Sequence, residues 1–207
     1  MIKAVIFDSD GMLTYDPGFS KTYSANYNIP LEEMTSFFTG PFKNCLIGRA
    51  DLKEELQKGW LTKWRWPGTV DEFLEYWFSV GGPLEVEVFE SISNMRKSGV
   101  ICVLATNQEK YRTERIAARF GYHDAFDKIF SSAYVGHKKP TNDFFQVVFN
   151  YLLEKDPSIT KDEVIFWDDD IENIEGAKSF GILAEQYLNP DHHKEVMDEY
   201  GLLKVNI

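Results

Sequence analysis

Asp8 and Asp10 are separated by one residue and follow directly after the apolar run of residues 4–7. Such a run is typical of a strand that is buried on both faces of a parallel sheet. Ligands of open parallel sheets bind outside the carboxyl ends of the strands. Two carboxylates at such an end can hold a divalent cation, attack an electrophile, and donate or accept a proton. We therefore expect Asp8 and Asp10 to form part of a reaction centre.

Three further polar groups follow later apolar runs of the chain, and parallel pairing would bring them to the same edge of the sheet. They are Thr106 with Asn107 after residues 100–105, Lys139 in the loop after residues 128–134, and Asp168 with Asp169 after residues 164–167. A hydroxyl, an amide, an ammonium and paired carboxylates together could bind an anion and a cation side by side.

The elements that must position these groups alternate between strand and helix, which predicts a doubly wound, Rossmann-like α/β core. The predicted strands are residues 4–7, 100–105, 128–134, 164–167 and 182–187, and the predicted helices of the core are 111–120, 143–153 and 171–180. We also expect Asp170 to cap the last of these helices.

Residues 15–82 contain no convincing strand and predict an all-helical insertion. We expect helices at 20–27, 30–38, 52–63 and 69–78, with breaks at glycine and proline. An insertion directly after the first strand would stand over the carboxyl end of that strand. The expected domains are therefore a catalytic core of residues 1–14 and 83–207 and a helical cap of residues 15–82.

The composition limits the possible partners. The chain has 207 residues and a formal net charge of -11, which argues against nucleic acids and anionic membranes because both need a basic surface. Cys45 and Cys102 form no metal-ligand spacing, and no apolar run reaches the length of a membrane span. We expect a cytoplasmic protein, monomeric or homodimeric, that acts on a small molecule.

The four polar groups resemble the signature motifs of the haloacid dehalogenase superfamily of aspartyl-phosphate hydrolases. In the family's order, the matches are Asp8-Ser9-Asp10-Gly11, then Thr106, then Lys139-Pro140, and finally Asp168-Asp169 with Asn173. Two positions depart from the pattern. Met12 stands where threonine is common, and Asn173 stands where relatives often carry aspartate.

The resemblance implies a Mg²⁺-dependent phosphatase of small phosphorylated metabolites, with sugar phosphates the leading candidates. It makes Asp8 the nucleophile and a metal ligand, and Asp10 the general acid and base, which lends the metal only its carbonyl. It also makes Asp169 a metal ligand, and it makes Thr106, Asn107 and Lys139 ligands of the phosphoryl group. Asp168 is implied to orient a water ligand of the metal. Asn173 is implied to be either a structural hydrogen-bonding residue or a further support of the metal site. Lys138 competes with Lys139, which is favoured because Pro140 follows it.

Within the superfamily, the helical insertion resembles that of the branch with a helical-bundle cap, and the chain is similar to glucose-1-phosphate phosphatases. The motifs leave open a phosphomutase of the β-phosphoglucomutase type and a non-catalytic regulatory protein on the same fold. A dehalogenase is disfavoured because that branch keeps no acid at the position of Asp10. In the cap, Asn44 and Arg49 are candidates for contacting the substrate.

Overall fold

The computed structural model describes residues 1–15 and 18–203 of the chain. The expected cap of residues 15–82 includes Asp16 and Pro17, and the expected core extends over residues 204–207. Those six positions lie outside the described residues.

The sheet of the described residues is parallel and confirms the predicted α/β core. Its strands are β1 (Ala4–Phe7), β2 (Ile101–Thr106), β3 (Lys128–Ser131), β4 (Val164–Asp168) and β5 (Leu183–Gln186). They are arranged in the order β3-β2-β1-β4-β5. The central strand β1 pairs with β2 and β4, and Ala4 lies opposite Ile101 on one side and Val164 on the other.

Successive side chains along a strand point to opposite faces of the sheet, so they alternate between two hydrophobic layers. Val5 and Phe7 pack into one buried cluster, whereas Ala4 and Ile6 pack into the other. Both faces of the sheet are therefore covered, which explains why the strands read as continuous apolar runs.

The layers are completed by helices that follow β1 and the later strands. After the helical segment described below come α7 (Val86–Lys97), α8 (Lys110–Phe120), α9 (Tyr122–Ala125), α10 (Ser132–Val135), α11 (Asn142–Lys155), α12 (Ile171–Phe180) and α13 (Pro190–Glu199), with a 3₁₀ turn at Lys161–Glu163. Asp170 caps α12 as predicted, because its Oδ1 accepts a hydrogen bond from the Glu172 N–H at 2.9 Å.

The helical segment, residues 19–79, lies between β1 and α7. It contains α1 (Phe19–Tyr27), α2 (Leu31–Thr39), α3 (Phe42–Leu46), α4 (Leu52–Glu55), a π-helical turn (Leu56–Trp60), α5 (Leu61–Lys63) and α6 (Val70–Ser79). Its side chains form a third buried cluster that is rich in aromatic rings, including Phe37, Trp64 and Phe73. Most of the large side chains of this segment therefore hold the helices together.

Two local predictions were wrong. The strand expected over 128–134 ends at Ser131, because its neighbour β2 ends opposite at Thr106 and leaves later residues without a strand to pair with. The chain turns instead into α10, and the Ser131 and Ser132 hydroxyls donate to the Gln108 carbonyl. The stretch after Pro41 lies outside the predicted helices but begins with the short helix α3.

No helix within the described ranges is both long enough and apolar enough to cross a membrane.

Candidate active site

The carboxyl ends of β1, β2 and β4 meet at one edge of the sheet. Asp8 follows β1, and its backbone N–H donates to the Trp167 carbonyl of β4 at 2.9 Å. Thr106 is the last residue of β2, and Asp168 is the last residue of β4; both are buried. Parallel pairing thus brings three of the predicted groups together from distant parts of the chain.

Lys139 places a buried ammonium between two carboxylates. Its Nζ lies 2.6 Å from Oδ1 of Asp8 and 2.6 Å from Oδ2 of Asp168, and the residue is only 1% exposed. Asn107 holds the Lys139 backbone from both sides: its Nδ2 donates to the Lys139 carbonyl at 3.0 Å, and its Oδ1 accepts from the Lys139 N–H at 2.9 Å. Because Lys138 is exposed, Lys139 is the lysine that reaches Asp8.

The Asp168 carboxylate is fully engaged by protein groups. Its Oδ1 accepts hydrogen bonds from the Asp170 N–H at 2.8 Å and from Asn173 at 3.1 Å. Its Oδ2 accepts from Lys139 at 2.6 Å and from Asn173 at 3.0 Å. Since a carboxylate offers about four acceptor positions, these contacts leave Asp168 no free position for a metal ion.

Asp10 is held by a separate set of donors. Both terminal nitrogens of Arg112 contact its carboxylate: Nη1 pairs with Oδ2, and Nη2 with Oδ1 at 3.0 Å. Gln108 Nε2 donates to Oδ2 at 3.1 Å, and the Thr14 hydroxyl donates to Oδ1 at 3.2 Å. The two acids of the first motif therefore lie in different surroundings, Asp8 against Lys139 and Asp10 against Arg112.

The electrostatics of the site favour an additional cation. Burial raises the pKa of Asp8, although the nearby Lys139 ammonium opposes this effect. Burial by itself would lower the pKa of Lys139, but the Asp8 and Asp168 carboxylates outweigh it and the pKa is raised. The ammonium therefore stays charged. When all three are ionised, the carboxylates of Asp8, Asp168 and Asp169 exceed this one cation by a formal charge of -2.

One oxygen of each of these three carboxylates lies within 4.8 Å of the others, a spacing that suits a metal ion. With Asp168 already engaged, Asp8 and Asp169 are the available side chains. Gly11, at φ 84°, makes room for Asp169, since a Cβ at Gly11 would collide with that carboxylate. Oxygen ligands and an excess charge of -2 fit Mg²⁺, which prefers hard oxygen donors.

The helical segment is tied to the core through the exposed side of α8. Oδ2 of Asp51 accepts a hydrogen bond from the Tyr111 hydroxyl at 2.8 Å and pairs with Lys110 at 2.5 Å. One turn further along α8, Arg115 pairs with Glu75 of α6 at 2.7 Å. Helix α8 therefore contacts both the helical segment and, through Arg112, the first motif.

A cavity of about 380 Å³ lies at this junction, and Arg49 is among the residues that line it. Other lining residues are Asp51, Glu109 and Lys110. Cys45 also borders it, and burial raises the pKa of the Cys45 thiol to about 12. A thiol with such a pKa stays protonated and is a poor nucleophile.

The sequence reasoning missed Arg112, Gln108 and Thr14, the three residues that hold Asp10. Thr14 follows Asp10 by four residues, and Gln108 stands directly after Thr106-Asn107. Their closeness to the motifs was the available signal. For Arg112 the sequence offers no such signal apart from its place in the first turns of the helix that follows Thr106, because its partner, Asp10, lies 102 residues away in the chain.

A family model for haloacid dehalogenase-like hydrolases matches residues 2–181, so the chain belongs to that family of hydrolases. The fold is similar to that of a HAD family enzyme from Bacteroides thetaiotaomicron, with a TM-score of 0.75 and 19% identity over 90% of this chain and 94% of that chain. That enzyme has also been solved in complex with magnesium and inorganic phosphate.

A second similar structure is the L-2-haloacid dehalogenase of Xanthobacter autotrophicus with covalently bound chloropropionic acid. Its TM-score is 0.63 and its identity 19%, over 99% of this chain and 85% of that chain. Among curated proteins, the drimenol cyclase drtB of Aspergillus calidoustus is 42% identical over 66 residues. These cover 32% of this chain, and the chain spans only 12% of the length of that relative.

Proposed function

We propose that the protein is a Mg²⁺-dependent phosphatase that hydrolyses phosphate monoesters of small metabolites through an aspartyl-phosphate intermediate. The observation that carries the proposal is the position of Asp8. Its Oδ1 contacts the buried ammonium of Lys139 at 2.6 Å, so Oδ2 is the oxygen that can face phosphorus or a metal ion. The magnesium and phosphate complex of the similar Bacteroides enzyme supports this choice of ligands.

The chemistry follows in two balanced steps. Oδ2 of Asp8 bonds to phosphorus while the ester P–O bond breaks, and Asp10 donates a proton to the departing alcohol oxygen. Water then attacks the aspartyl phosphate, Asp10 takes its proton, and the bond between phosphorus and Asp8 breaks to release phosphate. When bound by Asp8 and Asp169, Mg²⁺ would supply positive charge that offsets the repulsion between the carboxylate and the anionic ester.

The phosphoryl oxygens require donors at the same sheet edge. We assign this role to the Lys139 ammonium, which contacts Asp8, and to the hydroxyl of Thr106 at the end of β2. Asn107 uses its oxygen and one N–H to hold the Lys139 backbone, which leaves its second N–H for a phosphoryl oxygen. Its larger contribution is then to hold Lys139 in place.

We assign substrate choice to the helical segment acting as a cap over the sheet edge, with sugar phosphates the leading class. Arg49 lines the 380 Å³ cavity between this segment and α8, where it could contact hydroxyls or a second anionic group. Asn44 holds the backbone that leads to Arg49, because its carbonyl accepts the Arg49 N–H at 2.8 Å.

The test is phosphate release from 4-nitrophenyl phosphate and from a panel of phosphorylated metabolites, with Mg²⁺ or with EDTA. We expect turnover that needs Mg²⁺ and is lost in Asp8→Asn, while Asp143→Asn, an exposed substitution on α11, keeps it. Turnover by Asp8→Asn comparable to wild type would remove Asp8 as nucleophile. A wild-type protein that is inactive on the whole panel would favour a regulatory protein.

Two related reactions are separated by their products. Incubation with a hexose 1-phosphate should yield free phosphate, whereas accumulation of hexose 6-phosphate would favour a phosphomutase. The similarity to the Xanthobacter dehalogenase calls for a third assay. Chloride release from a 2-chloroacid would overturn the phosphatase proposal.

A further inference from the structure

The carboxylate of Asp10 accepts hydrogen bonds from three different side chains. Arg112 contacts both oxygens of its carboxylate, Gln108 donates to one and Thr14 to the other. Only Thr14 belongs to the loop that carries Asp10, whereas Arg112 and Gln108 come from the region that follows β2. The carboxylate is therefore held both by its own loop and by the region that follows β2.

We propose that Arg112, supported by Gln108, is a positioning residue that holds the carboxyl group of Asp10 where the leaving alcohol and the attacking water exchange their protons. The inference rests on the proposed phosphatase function. A guanidinium that grips both oxygens fixes the direction of a carboxylate as well as its distance. Proton transfer depends on that geometry before anything else.

Arg112 can serve this purpose because its own backbone is rigid. Glu109 is only 2% exposed and caps α8 with both of its oxygens, which accept the N–H groups of Tyr111 at 2.7 Å and Arg112 at 2.6 Å. One residue later, the Thr113 hydroxyl donates to the Ser131 hydroxyl at 2.8 Å. The first turn of α8 is thus joined to the end of β3.

Gln108 is equally constrained. It is 2% exposed, and its carbonyl accepts the hydroxyls of Ser131 at 2.8 Å and Ser132 at 3.3 Å. Its Oε1 is buried and has no hydrogen-bond partner among the described residues. An unsatisfied buried acceptor is costly, so this oxygen is suited to receive a donor from the site, such as a substrate hydroxyl or the attacking water.

Thr14 completes the arrangement because a hydroxyl can both donate and accept. It donates to Asp10 at 3.2 Å in this structure, and it can accept once the carboxyl group carries a proton. Arg112 can meanwhile hold the other oxygen. Asp10 must give up at least one of its four donors to carry a proton, and the remaining contacts can keep its carboxyl group in place.

The experiment compares two esters that differ in their need for a proton. A nitrophenolate leaves without protonation, whereas the alcohol of a sugar phosphate leaves only when it receives a proton. The substrates are 4-nitrophenyl phosphate and the sugar phosphate of the panel that the wild-type protein hydrolyses fastest. We expect Arg112→Met to slow the first step, followed as release of the alcohol in a single turnover, by about 100-fold on the sugar phosphate, the lower range for general acid catalysis, with a much smaller loss on the aryl ester.

Asp10→Asn should show the same contrast between the two esters, and Arg112→Lys should recover only part of the activity because an ammonium cannot hold both oxygens. The control is Arg119→Met, an exposed arginine in the last turn of α8, which should match wild type on both esters.

The other outcomes all decide against the inference. Equal losses of Arg112→Met on both esters would indicate a general structural role. A loss confined to KM would make Arg112 a ligand for a substrate anion. An unchanged or faster release of the alcohol would make the contact between Arg112 and Asp10 dispensable. A wild-type protein that hydrolyses neither ester overturns the proposed function itself, and with it this role of Arg112.

Discussion

Replacing Lys139 with methionine would test the charge balance of the site without altering a carboxylate. The ammonium lies 2.6 Å from both Asp8 and Asp168, and Lys139 is 1% exposed. Methionine retains much of the apolar stem but removes the charge. Removing one partner of a buried ion pair costs about 3–5 kcal/mol, because the remaining charge is left uncompensated. We expect the metal-free protein to lose about that much unfolding free energy.

The measurement is urea denaturation of wild type and Lys139→Met in EDTA and in excess Mg²⁺. With the ammonium gone, a divalent cation is the remaining countercharge for Asp8, so Mg²⁺ should stabilise Lys139→Met more than wild type. Adding Asp8→Asn to Lys139→Met should recover part of the loss, since it removes one of the unpaired charges.

The matched control is Lys138→Met, because Lys138 is the adjacent residue and is exposed. Surface substitutions of this kind change the unfolding free energy by no more than about 0.5 kcal/mol. The reasoning is refuted if Lys139→Met costs less than about 1 kcal/mol, or if Asp8→Asn recovers nothing in its background.

Three further predictions concern other parts of the molecule. Burial lowers the pKa of His193 to about 4 from 6.5, so the unfolded chain binds a proton that the folded chain refuses. The unfolding free energy should therefore fall by about 3 kcal/mol as the pH drops from 7 to 4. His193→Phe should flatten that decline, and the exposed His123→Gln should not. Asp51 caps α4 and joins it to Tyr111 and Lys110, so Asp51→Ala should cost about 1–2 kcal/mol in thermal denaturation. Asp51→Asn, which keeps the capping oxygen, should cost less, and equal losses would contradict this account. Gly11→Ala should weaken Mg²⁺ binding in calorimetry at least tenfold, because its Cβ would displace Asp169. The control is Gly99→Ala, because Gly99 has a similar φ of 87° but open space around it. If Mg²⁺ binding is unchanged in Gly11→Ala as well as in this control, the predicted collision with Asp169 does not occur.

The core of the fold could be predicted because the residues that define each strand and each motif are neighbours in the sequence. Each strand reads as an apolar run, and each polar motif follows its strand directly, so parallel pairing is enough to bring Asp8, Thr106 and Asp168 together. The end of β3 could not be predicted in this way. Whether residues after Ser131 stay extended depends on where β2 stops, and β2 lies about 25 residues earlier in the chain.

The contacts of the site likewise differ in whether a local feature of the sequence announces them. The choice of Lys139 over Lys138 came from the proline that follows it, and Lys139 is the lysine that reaches Asp8 across 131 residues of sequence. No such local mark accompanies Arg112. An arginine in the first turns of an amphipathic helix reads as an exposed residue, and only the packing of α8 against the first motif turns it toward Asp10.

The first turn of α8 contacts both the helical segment and the loop that carries Asp10. Lys110 and Tyr111 reach Asp51 of the helical segment, and the next residue, Arg112, reaches Asp10. Consecutive residues of a helix point about 100° apart, so three neighbours can serve two directions from one rigid turn. Displacing the helical segment must therefore either break the contacts of Asp51 or pull on the helix that holds Asp10. The position of the proposed cap and the position of the proposed proton donor are thus mechanically connected through residues 110–112.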